Sequence, residues 1–368
     1  MTANDPGAAA PARHFARRTL SGMRPTGRMH LGNYVGALQN WVRLQDEGWR
    51  NYHMVADWHM LTTGYEDTSR LQQDTEDMVL DWLAAGLDPE RSVIFVQSEV
   101  KEHAELHLLF SMLVSKARLE RSPTLKEQIR DLHLDEDTIS YGHLGYSVLQ
   151  AADILIYQAT HVPVGEDQVP HIELTREIAR RFNFVYCKDR PPVFPEPDAM
   201  LTRFPRLRGL DGNRMSKSVG NTILLCDEPE AIAARVRQAY TDPKKIRAND
   251  PGRPEADLSE LDGEGRPLHA GCVVFDYHRL FNPDQADDIG RRCRAGELAC
   301  VPDKKHLAQT VADALAPIRE RRAKWAANKD AVREVIRDGN RRAREVAEAT
   351  LDEVRAAMGL RSDAEVKL

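Results

Sequence analysis

Residues 15–46, FARRTLSGMRPTGRMHLGNYVGALQNWVRLQD, set the architecture. Phe15 to Met23 reads as a strand, and SGMRPTGRMHLGN then supplies turn residues at Gly22, Pro25 and Gly27 before a helical pattern begins. Leu31, Tyr34, Val35, Leu38, Trp41 and Val42 recur at helical spacing, which gives that helix one apolar face. The alternation repeats downstream. The apolar stretch Tyr52 to Ala56 ends at Asp57, a helix runs through Leu71, Met78, Trp82 and Leu83 until Gly86 stops it, and VIFVQ at 93–97 is the next strand. Strands alternating with helices of this length predict an α/β, doubly wound parallel sheet with right-handed crossovers. Its ligands should sit beyond the carboxyl ends of the strands.

The chain has 368 residues, length for two to three domains. The proline-rich RPPVFPEP from Arg190, followed by the polar, glycine-spaced LRGLDGNRMSKSVGN, marks a domain edge. Residues 228–247 and 303–360 are rich in Ala, Arg, Glu and Leu at helical spacing and predict a helical second half. Asn249 to Gly271, with its Gly and Pro, reads as an extended, surface-exposed connection. Residues 1–14 lack aromatic residues and hold Ala, Pro and Gly, too little buriable surface to offset ordering entropy, and read as a disordered tail. No apolar run is long enough to span a membrane. Five cysteines without a Cys-x-x-Cys or a secretory apolar segment suit a reducing cytoplasm. A net charge of −6 means that any nucleic-acid contact must use local basic patches. Arg291, Arg292, Arg294, Arg319, Arg321, Arg322 and Lys324 are the candidates, each equally readable as part of a salt-bridged helix face.

Three constellations carry chemistry. His30-Leu31-Gly32-Asn33 sits where the first strand turns into a helix: helix N-termini bind phosphate, Gly32 permits close approach, and His30 and Asn33 can donate hydrogen bonds. The bland alternative for His30 is a helix cap. Arg214-Met215-Ser216-Lys217-Ser218, between Gly212 and Gly220, sets two cations beside two hydroxyls, a composition that suits a polyphosphate. Asp153 is crowded by Leu149, Ile154, Leu155 and Ile156, and a charge among apolar neighbours has a partner.

Together, SGMRPTGRMHLGN and GNRMSKSVGN resemble the HIGH and KMSKS signatures of the class I aminoacyl-tRNA synthetases. AADILIYQATHVPVGEDQVPHIELTREIARRFN, Ala151 to Asn183, resembles the region that defines the tryptophanyl-tRNA synthetase branch. The resemblance implies a Rossmann-like catalytic domain at 15–210, a KMSKS-type loop at 211–224, a helical anticodon-binding domain at 225–312, and C-terminal helices at 313–368 packing back on the catalytic domain. It implies activation of L-tryptophan with ATP and Mg²⁺, transfer to tRNA(Trp), and a homodimer with no membrane or DNA partner.

Residue by residue, it makes Lys217, Arg214, His30 and Asn33 catalytic. It places Arg24, Pro25, Thr26, Gly32, Leu207 and the 214–218 run, Arg214, Met215, Ser216, Lys217 and Ser218, around ATP, with Gly165, Glu166 and Asp167 at the ribose. Asp153 would accept the indole N–H, Val162 and Val164 would wall the slot, Tyr146 and Gln168 would hold the ammonium group, and His59 would lie near the carboxylate. Gln150 stands where many members have Met and is expected to contact Asp153 or the ligand. Arg24 replaces a frequent Gln, and Arg214 a Lys. Some members hold an iron–sulfur cluster on four cysteines. Here Cys272, Cys293 and Cys300 remain, with Asp303 in the fourth place, which reads as a degenerate, metal-free remnant. A tyrosyl-tRNA synthetase, or a paralogue that binds RNA without charging it, are the rival readings.

Overall fold

The computed structural model describes residues 13–123, 125–126, 129, 139–201, 207–217, 219–261 and 267–360. Five strands, β1 Arg18–Met23, β2 Arg50–Val55, β3 Ser92–Val96, β4 His161–Val164 and β5 Asp198–Leu201, form one parallel sheet in the order β3-β2-β1-β4-β5. The chain winds outward from β1 through β2 to β3, then returns to the other side of β1. The crevice where the order reverses lies between β1 and β4, where such sheets bind ligands. Every residue of β3, and all of β2 but Arg50, is buried, as a sheet covered on both faces requires.

The helix expected after β1 is divided. Leu31–Asn33 leads into a π-helical turn, Tyr34–Leu38, and then Gln39–Asp46. His30 and Asn33 form a reciprocal cap: the His30 ring accepts from the Asn33 N–H at 3.3 Å, and the Asn33 side chain accepts from the His30 N–H at 3.1 Å. The helix Leu71–Ala85 stops at Gly86, whose φ of 117° is a left-handed conformation open to glycine. A short helix, Asp57–Gly64, was not legible from its weak apolar pattern.

In the second half, helices Pro229–Arg237, Val273–Phe281, Pro283–Arg294 and Cys300–Ala326 share one apolar cluster with the helix Leu71–Ala85, joined through Leu307, Val311, Leu315 and Ile318. The last helix, Lys329–Met358, lies directly on β3. Asn340 Oδ1 accepts from the Val96 N–H at 2.8 Å, and Arg342 donates to the Pro89 carbonyl at 2.6 Å. A Cβ at Gly339 would fall 1.7 Å from the Ile94 carbonyl oxygen, so only glycine allows this approach.

Two expectations need correction. Residues 249–271 are not a loose surface link: β6 Asp257–Leu261 pairs antiparallel with β7 Pro267–His269, and Gly252, Pro254, His269 and Gly271 are buried. Glycine lets this backbone pack closely; the Gly252 N–H reaches the Cys293 carbonyl at 2.9 Å, and a Cβ there would meet the Cys293 sulfur. Helix also ends at Arg237 rather than continuing to 247. Of the expected tail, residues 1–12 lie outside the described residues, while Arg13 is tied down by an ion pair with Glu353. Residues 361–368 lie outside them too.

Candidate active site

A cavity of about 320 Å³ opens beyond the carboxyl ends of β1, β2 and β4. Gly22, Met23 and Arg24 come from the end of β1, Met54 and Ala56 from β2, and Val162, Val164 and Gly165 from β4. Gly36 and Ala37 of the π-helical turn line it as well. On the helix Tyr146–Ile156, Tyr146, Gln150 and Asp153 recur at i, i+4 and i+7, so one face of that helix supplies three side chains to the cavity. Ala151, Ala152 and Leu155 of the same helix are buried in the sheet's core. His59 and Gln168 complete the polar lining.

Asp153 is 1% exposed and its carboxylate is fully engaged. It accepts from His59 Nε2 at 2.7 Å, from His103 Nδ1 at 2.6 Å, and from Gln97 Nε2 at 2.8 and 3.0 Å. Burial alone pushes such a carboxyl up, but hydrogen bonds from His103 and His59 and their proximity outweigh it, holding Asp153 below the usual carboxylate range. It is therefore ionised at neutral pH and acceptor-only. His59 also tilts against the Tyr146 ring, 4.3 Å between centroids. The Gln150 carbonyl oxygen is buried without a hydrogen-bond partner. Burial raises the Tyr146 hydroxyl's pKa and lowers that of Arg24, which donates to the Met60 carbonyl at 3.3 Å.

The two glycine-flanked motifs, far apart in sequence, meet here. The Gly32 N–H points at the Met215 sulfur at 3.2 Å, and a Cβ on Gly32 would crowd both that sulfur and the His30 ring. Lys217 lies across the β1–helix loop, donating to the Thr26 and Arg28 carbonyls, the latter at 2.8 Å, and to Thr26 Oγ1 at 3.2 Å. Burial, and then the Lys217 charge, push the His30 imidazole down to about 4. At neutral pH it is uncharged, and because Nδ1 accepts from Asn33, Nε2 carries the proton and is a donor. Burial also lowers the Lys217 ammonium.

The loop that carries Lys217 is shaped by Asn221, which sequence reading missed. Its Oδ1 accepts from the Ser216 N–H at 2.8 Å, and its Nδ2 donates to Asp211 at 2.8 Å and to the Arg214 carbonyl at 3.0 Å. Arg214 itself is exposed, Pro25 is buried, Thr26 is exposed, and Leu207 packs partly buried against the core. Glu166, Asp167 and Gln168 form one 3₁₀ turn after Gly165, with Gln168 donating to Asp167 at 3.1 Å. Ser218 lies outside the described residues.

The basic residues proposed for nucleic acid fare differently from one another. Arg321 donates to the Ala84 carbonyl and Arg322 to the buried Asp81, each at 2.6 Å, so these two fasten the helix Cys300–Ala326 to the helix Leu71–Ala85 instead of facing a partner. Asp81 in turn accepts from the Met29 N–H at 2.6 Å, the residue before His30. Arg291 pairs with Asp288, and Arg294 with Glu255. Lys324 is exposed. Cys272, Cys293 and Cys300 lie near enough to influence one another, burial raising all three thiols, Cys272 to about 11. Among the described residues, no group of three or more His, Cys, Asp or Glu is arranged to hold a metal ion.

Residues 14–316 match the family described as tRNA synthetases class I (W and Y). A tryptophan–tRNA ligase of Thermotoga maritima is 50% identical over 345 residues, covering 93% of this chain and 99% of the relative. One from Aquifex aeolicus is 42% identical, covering 93% and 100%. Among solved structures, a tryptophanyl-tRNA synthetase from Campylobacter jejuni complexed with ADP and tryptophan aligns with a TM-score of 0.77 at 28% identity, over 93% of this chain and 100% of that one.

Proposed function

The chain belongs to the class I tRNA synthetases of the tryptophan and tyrosine family, and from that premise we propose how its residues divide the work. It is a tryptophan–tRNA ligase: it activates L-tryptophan with ATP, releasing pyrophosphate, and passes the amino acid to the 3′ end of tRNA(Trp). The observation that carries the choice of amino acid is Asp153, an ionised acceptor-only group buried on the wall of a largely apolar cavity. Indole offers one N–H donor and no acceptor, so a carboxylate rewards tryptophan and is left underpaired by phenylalanine.

In the first step the tryptophan carboxylate attacks the α-phosphorus of ATP in line. Catalysis comes from positioning and from charge stabilisation of the pentavalent phosphate. Lys217 leaves the Thr26 and Arg28 carbonyls for phosphate oxygens, Arg214 adds a second cation, and neutral His30 donates from Nε2, held in that tautomer by Asn33. Arg24, Pro25, Thr26, Gly32, Leu207, Met215, Ser216 and Ser218 surround the nucleotide. Gly165, Glu166 and Asp167 receive the ribose. Tyr146, Gln168 and His59 hold the amino acid's ammonium and carboxylate between the walls of Val162 and Val164, with Gln150 beside Asp153. Mg²⁺ enters as part of the ATP substrate, carried on phosphate oxygens, which needs no protein cage.

We assign catalysis to 15–210, the KMSKS-type ATP loop to 211–224, anticodon binding to 225–312 and packing back on the catalytic domain to 313–368. The exposed Leu108, Met112, Phe184 and Val185 on neighbouring helices suit a homodimer interface. The cytoplasm is the compartment we assign, the five cysteines being unpaired. No described helix is long and apolar enough to cross a membrane. ATP–pyrophosphate exchange with each of the 20 amino acids, followed by tRNA charging, tests the reading. Exchange with tryptophan alone is expected; exchange with tyrosine would move the assignment to the sister branch, and none at all would point to a non-catalytic paralogue.

A further inference from the structure

Asp153 is approached from behind by side chains that do not line the cavity. Gln97 follows β3 and lays one amide nitrogen across both carboxylate oxygens, at 2.8 and 3.0 Å. His103, on the helix Glu102–Ser111, reaches Oδ1 through Nδ1 at 2.6 Å, and its Nε2 lies 2.7 Å from the Tyr157 hydroxyl. Gln97, His103 and Tyr157 are all 0% exposed. Nδ1 gives its proton to the carboxylate, and Nε2 shares the next hydrogen bond with the Tyr157 hydroxyl. Tyr157 is itself held, stacked on Tyr52 at 4.7 Å and edge-on to Phe95 at 5.2 Å. The chain from Tyr157 to Asp153 therefore has little slack, as expected of a satisfied buried polar network.

Counting acceptor positions shows which contact a ligand must displace. A carboxylate offers about four lone-pair sites, two on each oxygen. Oδ1 takes Gln97 and His103, and Oδ2 takes the longer arm of the shared Gln97 contact and His59 Nε2, so all four are filled. Of these partners only His59 lines the cavity, with its own Nδ1 unpartnered. The contact with His59 is thus the exchangeable one. A carboxyl free to rotate or to take up a proton could present an O–H as readily as an acceptor, and would then tolerate a ligand without an N–H.

We propose that His103 and Tyr157 are positioning residues for amino-acid selectivity: with Gln97 they pin Oδ1 of Asp153, so that the indole N–H meets Oδ2 alone and from a fixed direction. This rests on tryptophan being the substrate. The consequence is discrimination against an isostere whose ring lacks the N–H.

The test is ATP–pyrophosphate exchange with tryptophan and with 3-benzothienylalanine, in which sulfur replaces the N–H, using the full-length enzyme, Tyr157→Phe, His103→Asn and the double variant. Tyr157→Phe keeps the ring and removes only the hydroxyl that His103 Nε2 contacts. The ratio of kcat/KM for tryptophan to that for the analogue should fall about 5–10-fold, the worth of one hydrogen bond in a charged network. The loss should appear in KM for tryptophan, with KM for ATP and kcat/KM for the analogue unchanged. His103→Asn should lower the ratio further, and adding Tyr157→Phe to it should change nothing more, because both act through one chain. An unchanged ratio in Tyr157→Phe, an equal loss for both substrates, or additive effects in the double variant would overturn the inference. Wild-type enzyme that fails to exchange with tryptophan would overturn the assignment beneath it instead.

Discussion

Replacing Gly339 with alanine pits helix propensity against close packing, and the two predict opposite signs. Alanine is favoured over glycine inside a helix by about 1 kcal/mol, so on propensity alone the change stabilises the helix Lys329–Met358. The structure says otherwise, since the new Cβ would sit 1.7 Å from the Ile94 carbonyl oxygen and 2.7 Å from its carbon, both backbone atoms of β3. Carbon and oxygen approach no closer than about 3.3 Å in sheets and helix interfaces, so the helix must retreat by about 1.6 Å at this point. That retreat stretches the 2.8 Å bond between Asn340 and the Val96 N–H beyond hydrogen-bond range. A buried amide left unpaired costs about 1–3 kcal/mol, and overpacking strain costs about the same. After the propensity gain, a net loss of about 1–5 kcal/mol remains, a large part of a total stability of about 5–15 kcal/mol. Urea unfolding followed by far-UV circular dichroism should show an earlier midpoint for Gly339→Ala. A variant as stable as the parent, or more stable, would refute the packing argument.

Lys217→Ala should lower the rate of pyrophosphate exchange by about 10²–10³-fold with KM for tryptophan unchanged, as expected for a group that acts on charge developing at the phosphate; an unchanged kcat would remove Lys217 from the chemistry. Asp153→Ala should abolish preference for tryptophan while ATP binding persists, and retained selectivity in amino-acid-dependent exchange would count against the indole contact. Stability should also depend on pH through buried histidines. Burial pushes His53 down to about 3 and His171 to about 4, and burial together with the Lys217 charge pushes His30 to about 4. Above pH ~6.5 these rings are neutral whether the chain is folded or not. As pH falls from there toward 4 the unfolded chain takes up protons that the folded chain refuses, so stability falls across that window. His53→Phe, which keeps a flat ring stacked on Trp41 and removes two unpartnered nitrogens, should flatten the slope between pH 6.5 and 4; denaturation at several pH values would show it, and an unaltered slope would contradict it.

Local signals made much of the fold legible. The Gly86 stop, the strand at 93–97 and the helix that starts at Leu31 depend on neighbours in sequence, and each lies within a few residues of where periodicity put it. The π-helical turn at Tyr34–Leu38 did not, because an added residue in a helical turn leaves the apolar pattern almost intact. Residues of the two motifs lie side by side in the fold, Gly32 against Met215 and Lys217 against Thr26. The support around Asp153 was hidden for a physical reason. His103 sits in KEHAEL, beside three charged residues, and looks like a surface histidine until the fold turns it inward to meet a carboxylate 50 residues on. Gln97 left a faint trace, being a polar residue directly after a buried strand at the edge where ligands bind. Arg321 and Arg322 misled in the opposite sense: their spacing in a charged run resembles a nucleic-acid patch, but it is the proximity of Ala84 and Asp81 that decides their use.

The reversal of strand order between β1 and β4 sets two groups of residues on either side of one crevice. Most of what is assigned to phosphate chemistry hangs from the turn after β1 and the 209–221 loop, and most of what is assigned to the amino-acid ring hangs from the helix Tyr146–Ile156, β4 and the residues behind Asp153. The two groups meet at the carboxyl ends of two adjacent strands, where Arg24 and Gly165 line the cavity. Mutation can therefore rewrite which side chain is recognised while the activation reaction stays intact, so a change of amino acid is an edit to one wall of the crevice, and a single family can house ligases for two different aromatic residues.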